Sequence, residues 1–559
     1  MRQSAWFVWV GVVATVVVSA ATPVVFTDVT SSSGLDFVHH TGEFGKKYMP
    51  ETLGAGGVWL DVDDDGWQDI VLVNSTSFPG QVDARTHAAL YRNDGDGTFT
   101  DITAGSGLDI SLYGIGAAAA DFDNDGRVDI YLTALGQNRL LRGQGDGTFV
   151  DVTDESETGD PGFSTGAVWF DYNNDGHLDL FVANYVEWTP QNDLYCTLDG
   201  ETKSYCTPES YRGQSSTLYR NLGDGTFDDV TVAAGVSSLS AKALSATMFD
   251  ADSDGWMDLF VTNDTQPNQL FQNRGDGTFD DVAVVAGVAF SEAGVARAGM
   301  GVDAADYDGS GRPSLIIGNF SNEMMALYHN EGNGLFIDEA PRSAIGRATL
   351  LTLTFGCFFF DFDLDGWPDV FAANGHVADD VDRVQSRVTH AQRPQLFRNL
   401  GQGRFEEIIG GVGEALQQVM VARGAAYGDL DNDGDLDILV TSNGGAPKLL
   451  RNDGGNANNL LRLKIVGVNS NRDGIGARVE VTTGSQMRWQ VVKTGSSFAS
   501  QSELPLTFGL GDTMTVDAVR VIWPGGLIDE IDEITANQFL IIEEGRGVLH
   551  ATPIVRGQG

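Results

Sequence analysis

Asp121-Phe122-Asp123-Asn124-Asp125-Gly126-Arg127-Val128-Asp129 decides how the chain is read. Carboxylates stand at positions one, three, five and nine, with glycine at six. Oxygen ligands at alternate positions, followed by a sharp turn, can wrap one hard cation such as Ca²⁺. Glycine at six allows a backbone conformation that a Cβ forbids. The loop recurs. Copies start at Asp61, Asp121, Asp171, Asp250, Asp306, Asp361 and Asp429, at intervals of 60, 50, 79, 56, 55 and 68 residues.

Each copy has the same frame. A small-residue stretch precedes the loop, as in Gly116-Ala117-Ala118-Ala119-Ala120 and Gly299-Met300-Gly301. A short apolar strand follows, as in Ile70-Val71-Leu72-Val73. Next comes a strand ending in a turn, Leu90-Tyr91-Arg92-Asn93-Asp94-Gly95-Asp96-Gly97, and a last strand, Thr98-Phe99-Thr100-Asp101-Ile102-Thr103. Four short strands with turns between them make one antiparallel blade of a β-propeller, and a repeat of this kind governs the whole fold. The small-residue strand is expected innermost, where sheets crowd around the axis.

The final-strand phenylalanine appears at Phe99, Phe149, Phe227, Phe279, Phe336 and Phe405, and the seventh unit lacks it. Phe26-Thr27-Asp28-Val29-Thr30 near the start of the chain supplies the missing strand. The expectation is a seven-bladed propeller over residues 24–455, closed by its N-terminal strand, which hides edges that an open array exposes.

The acidic string also opens an EF-hand, but that motif needs a bidentate Glu at position twelve and flanking helices. Position twelve is Leu72, Leu132, Val182, Val261, Ile317, Ala372 and Val440, none of which can ligate. The reading is a β-hairpin calcium loop. Its candidate ligands are Asp61, Asp63, Asp65 and Asp69; Asp121, Asp123, Asp125 and Asp129; Asp171, Asn173, Asp175 and Asp179. Three further sets are Asp250, Asp252, Asp254 and Asp258; Asp361, Asp363, Asp365 and Asp369; Asp429, Asp431, Asp433 and Asp437. A backbone carbonyl at position seven completes each set. Several Ca²⁺ ions are expected, one per intact loop. The fifth copy, Asp306 to Ser314, carries Ser310 and Ser314 where the others carry Asp, so weak or absent binding is expected there.

The 559 residues carry a net charge of −44, which argues against a nucleic-acid partner. Met1-Arg2-Gln3, an apolar run from Ala5 to Val18 and Ser19-Ala20-Ala21 read as an export signal over residues 1–21. The run is short for a bilayer span of roughly 20 residues, and no later segment is long and apolar enough. The mature chain is expected to be secreted or periplasmic. Of three cysteines, Cys196 and Cys206 lie in an insertion, Tyr185 to Gln214, and can close a small disulfide loop. Cys357 reads as a core thiol. A second insertion runs from Asp379 to Arg393.

From Asn459 the pattern becomes alternating strands, a small β-sandwich-like domain over residues 459–545, with a loose tail over 546–559. The acidic loops and GDGTF turns resemble FG-GAP/VCBS repeats of integrin-like propellers. Leu460-Leu461-Arg462-Leu463, Asn471-Arg472-Asp473-Gly474-Ile475-Gly476-Ala477, Phe508-Gly509-Leu510-Gly511 and Trp523-Pro524-Gly525-Gly526 resemble the ASPIC/UnbV domain. The combination resembles the cartilage acidic protein family and its bacterial relatives. That resemblance implies a secreted, calcium-binding adhesion or interaction protein. Saturated loop ligation, recurring in every blade, leaves little room for a substrate, so calcium is read as structural, and the expected partner is a protein or glycan.

The rival reading is an extracytoplasmic enzyme, or a carbohydrate- or natural-product-binding protein, using the propeller's channel, its face or an inter-domain cleft. His39, His40, Glu43 and Glu51 could line such a site, and Trp188, Tyr195, Tyr205 and Tyr211 could form an aromatic sugar-binding surface. No nucleophile elbow, P-loop or dinucleotide fingerprint is present.

Overall fold

The computed structural model describes residues 24–78, 81 and 86–555. The expected export signal lies outside the described residues. Seven four-stranded antiparallel sheets account for the repeats. The second is typical, with strands Gly114–Ala120, Asp129–Ala134, Arg139–Gly143 and Phe149–Asp151 in sequence order. Ala120 pairs with Asp129, so the acidic loop connects the first two strands. Asp129–Ala134 is buried along its whole length, the pattern of a strand covered on both faces.

The seventh sheet is completed from the other end of the chain. Val25–Asp28 pairs antiparallel with Lys448–Asp453, Phe26 opposite Asn452. Lys448 Nζ adds a 2.6 Å ion pair to Asp28. The first strand of each sheet lies against the first strands of its neighbours, and Gly57–Leu60 of sheet one lies against Ala422–Gly428 of sheet seven.

The C-terminal residues form two four-stranded sheets packed on a common apolar core. One contains Leu506–Gly511, Asn459–Val466, Gln538–Glu543 and Gly547–Pro553, the middle pair running parallel. The other contains Gln486–Val491, Arg478–Thr483, Thr515–Ile522 and Ile528–Thr535. The expected loose tail over 546–559 is corrected for 547–553, and residues 556–559 lie outside the described residues. Gly547–Pro553 is an edge strand paired with Gln538–Glu543, so the domain runs past residue 545. Both faces of this strand are largely exposed, which erased the alternation that marks half-buried strands.

A segment of this domain enters the propeller. Thr494 to Ser502 runs among the inner strands and bonds to them in turn. Thr494 Oγ1 accepts from Trp169 N at 2.9 Å, Gly495 O accepts from Thr247 at 2.7 Å, and Ser497 N donates to Val302 O at 2.8 Å. Gln501 engages the backbone of Ala119 through both amide atoms, 2.9 Å each, and Ser502 Oγ accepts from Tyr427 N at 3.1 Å. Phe498 packs edge-on against Phe355, ring centroids 4.9 Å apart.

The small residues of the inner strands thus have a second cause besides crowding between sheets. A Cβ on Gly56 would sit 2.1 Å from Ala499 O, and one on Gly424 would sit 2.0 Å from Ser500 Oγ. The space that the rival reading reserved for a substrate in the channel is filled by the chain itself.

Candidate metal centres and the platform they build

In every repeat the first Asp caps its own turn. Asp121 Oδ1 accepts from Asp125 N at 2.9 Å and Oδ2 from Gly126 N at 2.7 Å. Gly126, at φ +86°, needs the left-handed backbone that glycine tolerates. The ninth residue ties the loop to the sheet. Asp129 accepts from Phe122 N at 3.0 Å and from Gly143 N on the third strand at 2.7 Å. Equivalent pairs occur at Asp69, Asp179, Asp258, Asp369 and Asp437.

Five loops bring at least three carboxylates together, with ligand oxygens within 4.8 Å of one another. In loops one, two and seven the groups are Asp61/Asp63/Asp69, Asp121/Asp123/Asp129 and Asp429/Asp431/Asp437. In loops four and six they are Asp250/Asp252/Asp254 and Asp361/Asp363/Asp365, so the fifth position joins and Asp258 and Asp369 remain on their backbone partners. Among the described residues the third loop forms no such group. There Asn173 turns its amide nitrogen onto Asp175 Oδ2 at 2.8 Å.

The third position tests whether a cation fits. Asp63 Oδ1, Asp123 Oδ1, Asp252 Oδ1 and Asp363 Oδ1 are buried without a hydrogen-bond partner, as are Asp429 Oδ1 and Asp435 Oδ1 in the seventh loop. Buried acceptors left without a donor are costly. Several such oxygens converging among carboxylates are what a hard divalent ion satisfies, and in the sixth cluster Arg398 also pairs with Asp363 at 2.6 Å. Asp435 was not among the expected ligands, because only the seventh loop has an acid at position seven.

Without an ion these acids hold protons tightly. Burial, then the neighbouring carboxylates Asp123 and Asp121, push Asp129 up to about 9 against the pull of its backbone bonds. Burial raises Asp69 to about 7 and Asp258 to about 8.

The fifth loop has substituted other partners. Ser314 Oγ accepts the bond from Asn330 N, 3.0 Å, that a ninth-position Asp takes elsewhere. His329 Nε2 lies 2.9 Å from Asp308 Oδ2, and the Trp489 indole of the C-terminal domain donates to Asp306 Oδ2 at 3.0 Å. Burial lowers the His329 pKa, but its bonds to Asp308 and Glu331 leave it raised.

One recurring residue escaped the sequence reading. The asparagine closing the third strand donates to two carbonyls, one in its own sheet and one in the preceding acidic loop. Asn399 Nδ2 reaches Pro368 O at 2.9 Å and Tyr307 O at 2.7 Å, and Asn93 reaches Gln68 O at 3.1 Å and Leu430 O of sheet seven at 2.8 Å. Asn221, Asn273, Asn330 and Asn452 repeat the pattern. The second sheet carries Gly143 instead, where a Cβ would meet Val128 O at 2.2 Å. The signal was available: Asn ends the third strand in six of the seven repeats.

The loop-bearing face is covered by the C-terminal domain. Lys464 pairs with Asp64 at 3.2 Å, Asp121 N donates to Asp473 at 2.7 Å, and Arg472 N donates to Asn124 at 2.7 Å. Arg488 donates to Gly366 O at 2.9 Å, and Arg462 lies 3.4 Å from Asp429.

The opposite face gathers the irregular segments. Cys196 and Cys206 are disulfide-bonded within the first insertion. Tyr205 donates to Glu51 at 3.1 Å, Ser204 to Asp380 at 2.9 Å, and Lys47 pairs with Asp379. Glu51 is buried, and burial raises its pKa to about 7. His39 is also buried and binds Gly444 N, with no bond to Glu51, while His40 bonds Ser77. The expected aromatic surface is not formed. Trp188 and Tyr211 are buried, Tyr205 is committed to Glu51, and Tyr195 alone of the four is widely exposed, at 68%.

The human and Xenopus tropicalis proteins named cartilage acidic protein 1 are each 29% identical to this chain, over 310 and 315 residues. The matches cover 53% and 54% of this chain but 43% and 45% of those proteins, so it spans less than half of their length. Among solved structures, an Agrocybe aegerita lectin that recognises non-reducing terminal N-acetylglucosamine overlaps 77% of this chain and 94% of its own, with 15% identity and a TM-score of 0.36. YCF48 bound to a D1 peptide overlaps 72% and 92%, with 8% identity and a TM-score of 0.39. Residues 467–548 match the ASPIC and UnbV domain, and the FG-GAP-like repeat matches 61–132, 121–182, 192–261, 250–317, 306–372 and 361–440. The chain therefore belongs to the FG-GAP-like repeat family and carries a C-terminal ASPIC and UnbV domain.

Proposed function

We propose that the protein is a secreted or periplasmic interaction scaffold, a closed seven-bladed propeller in which calcium is structural. The carrying observation is the set of buried, unpartnered carboxylate oxygens at the third position of loops one, two, four and six. Bound calcium neutralises these clusters and stiffens the platform on which the C-terminal domain rests. The residues offered to the ions are Asp61, Asp63 and Asp69 in the first loop and their counterparts. The third loop, with Asp171, Asn173, Asp175 and Asp179, binds more weakly than the second. The disulfide supports an oxidising compartment, and among the described residues no helix is long and apolar enough to cross a membrane.

Partner recognition belongs to the face opposite the ions, where the disulfide-bonded insertion, the Asp379 to Arg393 insertion and the His39 to Glu51 loop meet. The partner is a protein or glycan. Calorimetric titration of chelator-treated protein with calcium, beside melting curves, tests the reading. Binding of several ions with a rise in melting temperature is expected, since a ligand selective for the native state stabilises it. Absence of both overturns it.

A further inference from the structure

A cavity of about 390 Å³ lies between the propeller and the C-terminal domain, beside the fifth acidic loop. Its walls are mainly apolar and aromatic, with Phe360, Tyr427 and Trp523 among them. Small-molecule sites are of this size, favour domain interfaces, and combine apolar walls with a few placed polar groups.

Arg478, in the cavity wall, lacks a complete set of protein partners. Its guanidinium lies 4.0 Å over the Trp489 ring, and its Nε donates to Glu480 at 3.0 Å. Trp489 is itself anchored to Asp306, so the stack is fixed to the one loop with serines at positions five and nine. Among the described residues the two terminal nitrogens of Arg478 have no hydrogen-bond partner. Glu480 is matched a second time by Arg520 at 3.1 Å, and Lys493 in the same wall is matched by Asp303. One guanidinium, 27% exposed and with two nitrogens bonded to no protein group, therefore lines a cavity walled by rings. A guanidinium held this way takes a carboxylate or sulfonate through paired N–H donors.

We propose that this inter-domain cavity binds a small organic anion, with its acid group on Arg478 and a flat apolar body against the aromatic walls. The charge argument rests on the calcium-loaded state, in which ions offset Asp250, Asp254 and Asp361, while Asp306, also in the wall, accepts from the Trp489 indole and the Ser310 and Gly311 amides.

The test uses the whole chain with saturating calcium, ion binding being checked separately by calorimetry. That separation distinguishes failure of this proposal from failure of the calcium reading. Two fluorescent probes are titrated: anionic 8-anilinonaphthalene-1-sulfonate and neutral N-phenyl-1-naphthylamine. Saturable one-to-one binding of the anionic probe is expected. Arg478→Gln should weaken it at least tenfold while leaving the neutral probe within twofold. Filling the cavity by Ala305→Trp, or by Met257→Trp if the first variant does not fold, should weaken both probes. Melting temperatures near that of the parent exclude binding to unfolded chains. Anionic-probe affinity unchanged in Arg478→Gln, or no saturable binding in a calcium-loaded parent, overturns the proposal.

Discussion

Replacing Arg462 by Met tests how the C-terminal domain is locked to the seventh loop. The guanidinium forms a two-pronged pair with Glu503, 2.8 and 2.9 Å, donates to Thr507 at 2.9 Å and lies 3.4 Å from Asp429. The side chains of Arg462, Glu503 and Asp429 are only 4%, 0% and 1% exposed. Removing one member of such a group strands the other charges in a medium that cannot solvate them, at a cost of about 3–5 kcal/mol. Removing both Arg462 and Glu503 for methionines takes out the pair together, and such exchanges are often neutral. The double variant should therefore recover about 2–4 kcal/mol relative to the summed single losses, a coupling read from a double-mutant cycle in urea unfolding. Calcium adds a second signature. If an ion sits on Asp429, the Arg462→Met loss is smaller with saturating calcium than with chelator. A single-variant loss below about 1 kcal/mol, or strictly additive losses, would refute the account of this lock.

Four further outcomes follow from the same geometry. In the calcium-free protein Asp69, Asp129 and Asp258 have folded pKa values raised to about 7, 9 and 8. Their contribution is therefore full below pH 4 and lost as pH rises through those values, so the calcium-induced gain in melting temperature should be larger at pH 8 than at pH 5. Asn399→Ala removes three side-chain bonds, to the carbonyls of Tyr307 and Pro368 in two acidic loops and from Gly401 N; about 2–4 kcal/mol should be lost in urea unfolding. Ser310→Asp combined with Ser314→Asp should add one calcium to the calorimetric stoichiometry, since Ser314 already makes the ninth-position backbone bond. Cys196→Ser with Cys206→Ser should expose the Tyr185 to Gln214 insertion to limited proteolysis while the propeller melts nearly unchanged.

Much of this was legible because the repeat carries local rules. Asp at one, Gly at six and Asp at nine are each demanded by backbone bonds inside one hairpin, as at Asp121, Gly126 and Asp129. The completion of sheet seven by Phe26 was legible from a missing aromatic strand, since an unpaired edge must find its complement. The Asn of the third strand was visible as a repeat, but its meaning was hidden. One of its two partner carbonyls belongs to the neighbouring repeat, 92 residues away for Asn399 and 337 for Asn93. The edge strand Gly547–Pro553 was missed because its residues are exposed on both faces and show no period.

By itself, then, the chain's local chemistry determined the sheet unit, its number, the acidic loops and the departure of the fifth. Only tertiary structure decided where those loops face and what fills the middle. The small residues at Gly56, Gly116 and Gly424 are equally consistent with crowded sheets and with an inserted segment. Packing of Ala499 and Ser500 against them selects the second alongside the first. The cluster at Arg462, Glu503 and Asp429 likewise joins residues distant in sequence. Such charges are compatible with the fold only where a domain interface excludes water and supplies their partners.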